Sequence, residues 1–364
     1  MKILHKGQIS APLNGKLNYN AWGSITTLAG NEMMAVWSGD RYAHICPFGR
    51  VLASRSHDGG YTWDPPYPIM NTPLDDRDAG IVRSGDTLIA TSFNNSRERQ
   101  RFYAERGKYP EPKRSFVDSY LGLVSDDEEQ KYLGATLSVS HDGGKTFTEP
   151  CPMPITSPHG PLALPEGGLL WVGRAMHPLK PDPAFVDTVQ AWHMDENGEF
   201  RFLGSIDPLF DEDGTRLTSC EPHAILLEDG TVLAHIRVQR RGENKMLSTY
   251  QSLSYDGGKT WTHPEPILGR LGGAPSHLFR HSSGVLLATY GYREEPYGIK
   301  VMFSLDNGNT WETDIDLYIN GINWDLGYPA TVELKDGSLL TVFYAHPTAA
   351  DPAVIMQQKW RIEK

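Results

Sequence analysis

Hydrophobic and polar residues alternate with a period of two through most of the chain, in short runs broken by Gly, Asp, Asn, Ser and Pro. That period marks half-buried strands, because successive side chains of a strand point to opposite faces. Two kinds of turn punctuate the runs. In the first, an apolar run, a tight turn and a second apolar run follow one another, at 25–38, 80–93, 161–174, 224–237, 277–291 and 330–344. The Asp-Gly, Glu-Gly and Ser-Gly pairs in these turns predict β-hairpins. In the second, the pattern S-x-D-x-G-x-T-(W/F) occurs at Ser56–Trp63, Ser140–Phe147, Ser254–Trp261 and Ser304–Trp311, with a degenerate copy at His193–Phe200. Here the Asp side chain caps its own turn, Gly permits positive φ, and Thr with the aromatic starts the next strand and pins it to the core.

The two turns interleave. Six hairpins, five of them followed by an Asp-containing hairpin, give six four-stranded units. The sixth has only residues 352–363 after it, and the N-terminal MKILHKGQIS supplies its missing outer strand. The pattern predicts an all-β fold: one six-bladed β-propeller over residues 1–364, closed by the N-terminal strand so that no sheet edge stays free. Residues 97–131 break the rhythm. They are heavily charged and lie between the second and third strands of blade two, where a solvated loop with a short helix is expected. Long insertions are also often functional, as lids or subunit contacts, so a homo-oligomer contact is first expected here.

The length of 364 residues leaves open two ordinary domains or one large all-β unit, and the repeats decide for one. The 36 Gly and 37 aromatic residues (9 Trp, 16 Tyr, 12 Phe) are largely turn and blade residues. Net charge is −11, from 34 basic and 45 acidic residues, which disfavours general binding of nucleic acid. No run of apolar residues is long enough to span a membrane, and the N-terminal apolar run is too short for a secretion signal. Cys46, Cys151 and Cys220 are widely spaced, forming neither a zinc pattern nor a disulfide framework. A cytoplasmic location is therefore expected, with no metal or cofactor.

In a propeller one rim collects residues from every blade, at the starts of first strands and the ends of the antiparallel second strands. The starts supply Asn20-Ala-Trp22, Asp75-Asp76-Arg77-Asp78, Ser157-Pro-His159, Cys220-Glu221-Pro-His223, Ser276-His277 and Gly327-Tyr328. The ends supply Asp40-Arg41, Asn94-Asn95, Arg174, Arg237, Arg293 and His346. So many ionisable groups do not converge for packing, since unpaired buried charge is expensive. His159, His223 and His277 open strands of three blades and are candidates for substrate contact, for acid–base work in a lyase, or for a metal. Arg174 is a further substrate-binding candidate.

These repeats and rim residues resemble the sialidase (neuraminidase) superfamily, whose Asp boxes and six-bladed propeller they match over nearly the whole chain. The resemblance implies an exo-acting, retaining glycoside hydrolase that takes a terminal acidic sugar from an oligosaccharide or glycoconjugate. It implies a Tyr nucleophile activated by a Glu, an Asp acid/base, and three arginines clamping the substrate carboxylate. Glu221 in CEPHAILLEDG looks like the family's Glu, Arg237 and Arg293 like its second and third arginines, and Tyr328 in DLGYPATVELKDG like the nucleophile. The first arginine departs: Asn20-Ala-Trp22-Gly-Ser-Ile25 stands where an Arg-Ile-Pro-like motif is expected, leaving Arg41 or Arg77 to fill the role. Asp78 is the leading acid/base, with Asp40 and Asp76 as competitors. Two other readings stay open: a propeller lyase or uronic-acid- or rhamnose-directed glycosidase using His and Tyr, and a non-catalytic glycan-binding propeller.

Overall fold

The computed structural model describes residues 1–10, 17–107, 109–175, 188–240, 246–267 and 273–363. Six antiparallel sheets follow one another along the chain. Blade one comprises Tyr19–Thr27, Met33–Arg41, Arg50–Ser56 and Tyr67–Met70, and blade two Arg77–Ser84, Thr87–Phe93, Ala135–Ser140 and Cys151–Met153. Blade three comprises Leu162–Ala163, Leu169–Ala175, Val189–Met194 and Phe200–Ile206, with Ile155–Thr156 also pairing with Leu169–Ala175. Its inner strand is short because Pro158, Pro161 and Pro165 remove backbone donors from it. Blade four comprises Thr218–Leu226, Val232–Gln239, Met246–Ser254 and Glu265–Pro266, and blade five Gly273–Arg280, Leu286–Tyr292, Gly298–Ser304 and Glu312–Tyr318. Blade six comprises Gly327–Glu333, Leu339–Ala345 and Val354–Arg361, and Lys2–Gln8 completes it as expected, pairing Ile3 with Trp360.

Each junction between neighbouring blades has its own apolar cluster. Trp22, Trp37, Val342 and Ile355 join blades six and one, and Met34, Val36, Ile81 and Ala90 join one and two. Leu170, Ala191, Val232 and Ala234 join three and four. The Asp boxes fasten these junctions. Asp58 accepts from the N–H groups of Tyr61 and Thr62, both at 2.9 Å, and from the Thr62 hydroxyl at 2.7 Å. The turn so fixed reaches across to the preceding blade: Trp63 Nε1 donates to Gln357 of blade six at 3.0 Å, and Trp311 Nε1 to Gln251 of blade four at 3.0 Å. At the junction of blades three and four the approach is backbone to backbone. A Cβ on Gly204 would lie 2.1 Å from the Lys259 carbonyl oxygen, so only glycine fits there.

The order of strands sorts the connections by function. First strands run away from the rim and second strands back to it, so the Asp boxes lie at the far end. The loops after second strands, and those leading into first strands, crown the rim. The insertion of blade two is one such rim loop. It is three helices, Arg97–Arg106, Lys113–Leu123 and Asp126–Tyr132, rather than a solvated loop with one short helix. Ala104, Val117 and Leu121 bury against Phe48, Tyr109 and Tyr120, and apolar burial of this kind orders a segment that charge alone would leave solvated. Phe48 stacks on Phe116 at 5.0 Å, Tyr109 donates its hydroxyl to the Ile45 carbonyl, and Tyr120 donates to that of Pro73. The insertion thus braces the 42–49 loop of blade one.

Candidate active site at the propeller rim

Four residues occupy one structural position in four blades. Trp22, Asp78, Glu221 and Tyr328 each stand six residues ahead of the residue that opens the hairpin turn, Leu28, Ser84, Leu227 and Leu334. At each one the pairing of first and second strands shifts register, and each backbone is left-handed, with φ of 52°, 49°, 48° and 50°. The same position holds Pro158 in blade three and Pro275 in blade five, where a fixed negative φ forbids this conformation. A bulge re-aims its side chain, here toward the axis. Holding a non-Gly residue in this region costs about 1–3 kcal/mol, and such outliers cluster where geometry serves function.

Two of the four, Tyr328 and Glu221, are hydrogen-bonded to each other, and a third, Asp78, lies close enough to interact with both through its charge. The Tyr328 hydroxyl donates to Glu221 Oε1 at 2.7 Å, and Arg237 Nη1 holds Glu221 Oε2 at 2.7 Å. Arg237 Nη2 is itself held by Gln239 Oε1 at 2.9 Å. Burial alone would raise the Glu221 pKa, but the Arg237 charge and the Tyr328 hydrogen bond outweigh it, so the carboxylate is ionised. Tyr328 is 5% exposed, and burial with the Glu221 and Asp78 charges holds its pKa well above the ordinary phenol value despite Arg237 and Arg293. Asp78 differs from both. Its Oδ1 is sealed without a hydrogen-bond partner, and burial, reinforced by Glu221 and opposed by Arg77, pushes its pKa up to about 7. The resting site thus combines a neutral phenol, an ionised carboxylate on its hydroxyl and a carboxyl poised to be protonated near neutral pH.

The other candidate acids are committed elsewhere. Asp76 accepts from the Thr72 N–H at 2.7 Å and hydroxyl at 2.8 Å, and Asp40 pairs with Arg50 at 3.4 Å. Among the arginines, Arg77, Arg237 and Arg293 surround the unit. Arg77 lies over the Trp22 ring at 4.1 Å, and Arg293 stands 5.6 Å from the Tyr328 ring, fixed by the Leu326 carbonyl at 2.9 Å and the Tyr344 hydroxyl at 3.3 Å. Arg41 is placed otherwise than expected. It is 0% exposed, chelated by the equally sealed Asp75, and also bonded to Ser38 and the His44 carbonyl, so it supports the rim from below. Arg174 closes the second strand of blade three at the same rim, half-buried.

The three histidines come together one step deeper. His223 and His277 stack at 4.4 Å and 17°, with His159 edge-on at 5.4 and 5.0 Å. His223 Nδ1 accepts from the Leu278 N–H at 2.9 Å and His277 Nδ1 from the Thr331 N–H at 3.3 Å, which fixes both rings as neutral with the proton on Nε2. Both His159 nitrogens are sealed without partners. Burial lowers all three pKa values. Parallel rings cannot aim at a common ion, and among the described residues no cluster of His, Cys, Asp or Glu has metal-binding geometry. The trio is packed as a buried, neutral cluster.

A second cluster escaped the sequence reading. Asp325, in the connection leading to blade six, accepts from the Tyr19 hydroxyl at 2.9 Å, the Tyr344 hydroxyl at 3.1 Å, His44 Nδ1 at 3.2 Å and His346 Nε2 at 3.1 Å. Burial works against its charge, but these hydrogen bonds hold its carboxyl well below the usual range. His346 Nδ1 faces the Asp351 carbonyl at 2.8 Å, so both its nitrogens meet acceptors and the ring is an imidazolium, with its pKa raised by Asp325. No motif announces Asp325, and His44 lies just beyond the strand end where Asp40-Arg41 drew attention. Trp22 is buried, while Trp324, beside His44, is 57% exposed.

The fold is a propeller of sialidase-like architecture. Residues 134–341 match the profile of BNR repeat-like domains, and the chain belongs to that family. A protein of unknown function from Dyadobacter fermentans is similar over 100% of this chain and 99% of its own, at 20% identity and a TM-score of 0.75. A Hadza microbial sialidase is 15% identical over 98% of this chain and 68% of its own, with a TM-score of 0.65. The NanB sialidase of Streptococcus pneumoniae is 13% identical, covering 100% and 71%, also at 0.65. At these identities the likeness is one of fold. No curated protein matches the chain in sequence.

Proposed function

We propose that the protein is a retaining exo-glycosidase that releases a terminal acidic sugar. The observation that carries this reading is the 2.7 Å hydrogen bond from the Tyr328 hydroxyl to an ionised Glu221, beside an Asp78 whose buried Oδ1 has no hydrogen-bond partner. Tyr328 Oη attacks the anomeric carbon while its proton passes to Glu221. The glycosidic C–O bond breaks, and the proton of Asp78 goes to the departing oxygen. Water then attacks the tyrosyl glycoside, giving its proton to Asp78, and Glu221 returns the first proton to Tyr328. The anomeric configuration is retained through two inversions. A phenol suits this task better than a carboxylate when the anomeric carbon carries a negative group, because it approaches without charge. Arg77, Arg237 and Arg293 supply the complementary charge for that group.

The test is turnover of aryl glycosides of N-acetylneuraminic, glucuronic and galacturonic acids beside neutral sugars, with the anomer of the first product followed by NMR. Retention with an acidic sugar, abolished in Tyr328→Phe with binding preserved, is the expected result. A fully active Tyr328→Phe, or turnover confined to neutral sugars, refutes the reading.

A further inference from the structure

One titratable side chain facing this site has been given no task. The His44 side chain sits deep in the bowl of the rim yet keeps 40% of its surface open. Its ring is held edge-on to Trp22 at 4.8 Å and 90°. Its backbone carbonyl accepts from both Arg41 and Arg77, and the Ile45 carbonyl beside it accepts from Tyr109 of the insertion. The loop is therefore pinned from two sides, and the ring position is built rather than incidental. Nδ1 lies 3.2 Å from Asp325 Oδ1 and 3.1 Å from the Tyr19 oxygen. Because Asp325 is an acceptor only, Nδ1 carries the ring proton, and Nε2 is left with its lone pair and no protein partner among the described residues.

The groups facing this imidazole come from every side of the rim. Asp325 approaches from the blade-six connection, Tyr19 and Trp22 from blade one, Arg77 from blade two, Arg293 from the end of blade five, and Trp324 from the outside. Burial and the charges of Arg77 and Arg293 outweigh Asp325 and keep the empty-site imidazole neutral, with its pKa below the ordinary value. An anion bound between the two arginines reverses that balance.

Resting on the acidic-sugar reading above, we propose that His44 is a further, switchable cation of the anion site beside its arginines: oriented by Asp325, it takes up a proton at Nε2 when the acid group of the substrate settles between Arg77 and Arg293. Trp22 occupies the place where a permanent arginine is expected, and His44 on its edge supplies a charge only when an anion is present. Affinity for an acidic sugar is then linked to pH. Above the empty-site pKa of His44 it weakens as pH rises, by up to tenfold per unit, and it becomes flat in pH once the bound ring too has lost its proton.

The test is calorimetric titration of Asp78→Asn with free N-acetylneuraminic and glucuronic acids, beside the neutral sugars glucose and galactose, in two buffers of different ionisation enthalpy. The substitution blocks turnover and removes the site carboxyl pushed up to about 7, while Asp76, also raised to about 7 by burial, and His346 are common to both variants and cancel in their comparison. The expected result is net proton uptake on binding at pH 7.0, lost in Asp78→Asn/His44→Gln while weaker binding remains. Binding without proton uptake, or uptake unchanged in the double variant, overturns the role of His44 and leaves the acidic-sugar reading standing. Binding of neutral but no acidic sugars refutes that reading, and the proposal with it.

Discussion

Replacing Glu221 by Gln separates catalysis from architecture, because the amide keeps the shape and loses the charge. In the native site Oε1 takes the Tyr328 proton donor and Oε2 the Arg237 guanidinium, each at 2.7 Å. General-base assistance is worth about 10²–10⁴ in rate, which is roughly 3–5 kcal/mol of barrier at 1.36 kcal/mol per decade. The loss falls on kcat and kcat/KM together if the base acts only in the transition state. Stability changes less. The Glu221 and Arg237 side chains are 19% and 14% exposed, between a surface pair worth under about 1 kcal/mol and a buried pair worth about 3–5. A loss of about 2 kcal/mol is expected, a drop of a few degrees in Tm for a domain of this size. Steady-state kinetics on an acidic aryl glycoside with a poor leaving group, beside a thermal melt, measures both. Retention of more than a tenth of wild-type kcat by a folded Glu221→Gln refutes the assigned base.

Asp78 must be protonated to act as an acid, so in a His44→Gln background, free of His44-linked binding, kcat/KM should fall as pH rises through about 7, and adding Asp78→Asn should remove that limb together with about 10²–10⁴ in rate on poor leaving groups; an unchanged limb in the double variant assigns it to another group. Gly204→Ala sets a Cβ 2.1 Å from the Lys259 carbonyl oxygen and should cost about 3 kcal/mol. Gly230→Ala, at φ 85° with open space around it, should cost only about 1–2, so equal denaturation midpoints would show that blade contact is not what Gly204 serves. Tyr109→Phe frees the Ile45 carbonyl and loosens the loop that carries His44. It should raise KM severalfold with kcat nearly unchanged, and an unaltered KM separates the insertion from the site.

The blade plan was legible because it rests on local rules. Period-two alternation and the Asp boxes report strands and turns wherever they stand, so blade limits and the N-terminal closure could be counted along the chain. The site was legible in part. Glu221, Tyr328, Asp78, Arg77, Arg237 and Arg293 converge as the rim rule implies, but that rule does not distinguish a side chain aimed at the axis from one aimed inward. Arg41 illustrates this, since its sealing depends on Asp75, a partner 34 residues away. Asp325 and His44 meet across 281 residues and from two irregular loops, which no periodicity describes. The helices of the insertion did carry a signal: Ser125 and Glu128 form a capping box spelled S-D-D-E.

The closure of blade six also has a consequence during synthesis. Ile3 pairs with Trp360, so this strand leaves the ribosome more than three hundred residues ahead of its partner and waits for it. Until then two edges stand open, and unpaired strands recruit other chains. The waiting strand, KILHKGQ, carries Lys2, His5 and Lys6 among its few apolar residues, and charge on an edge strand repels an incoming copy. The lysines thus keep the unfinished ring from closing on a neighbour instead of on itself.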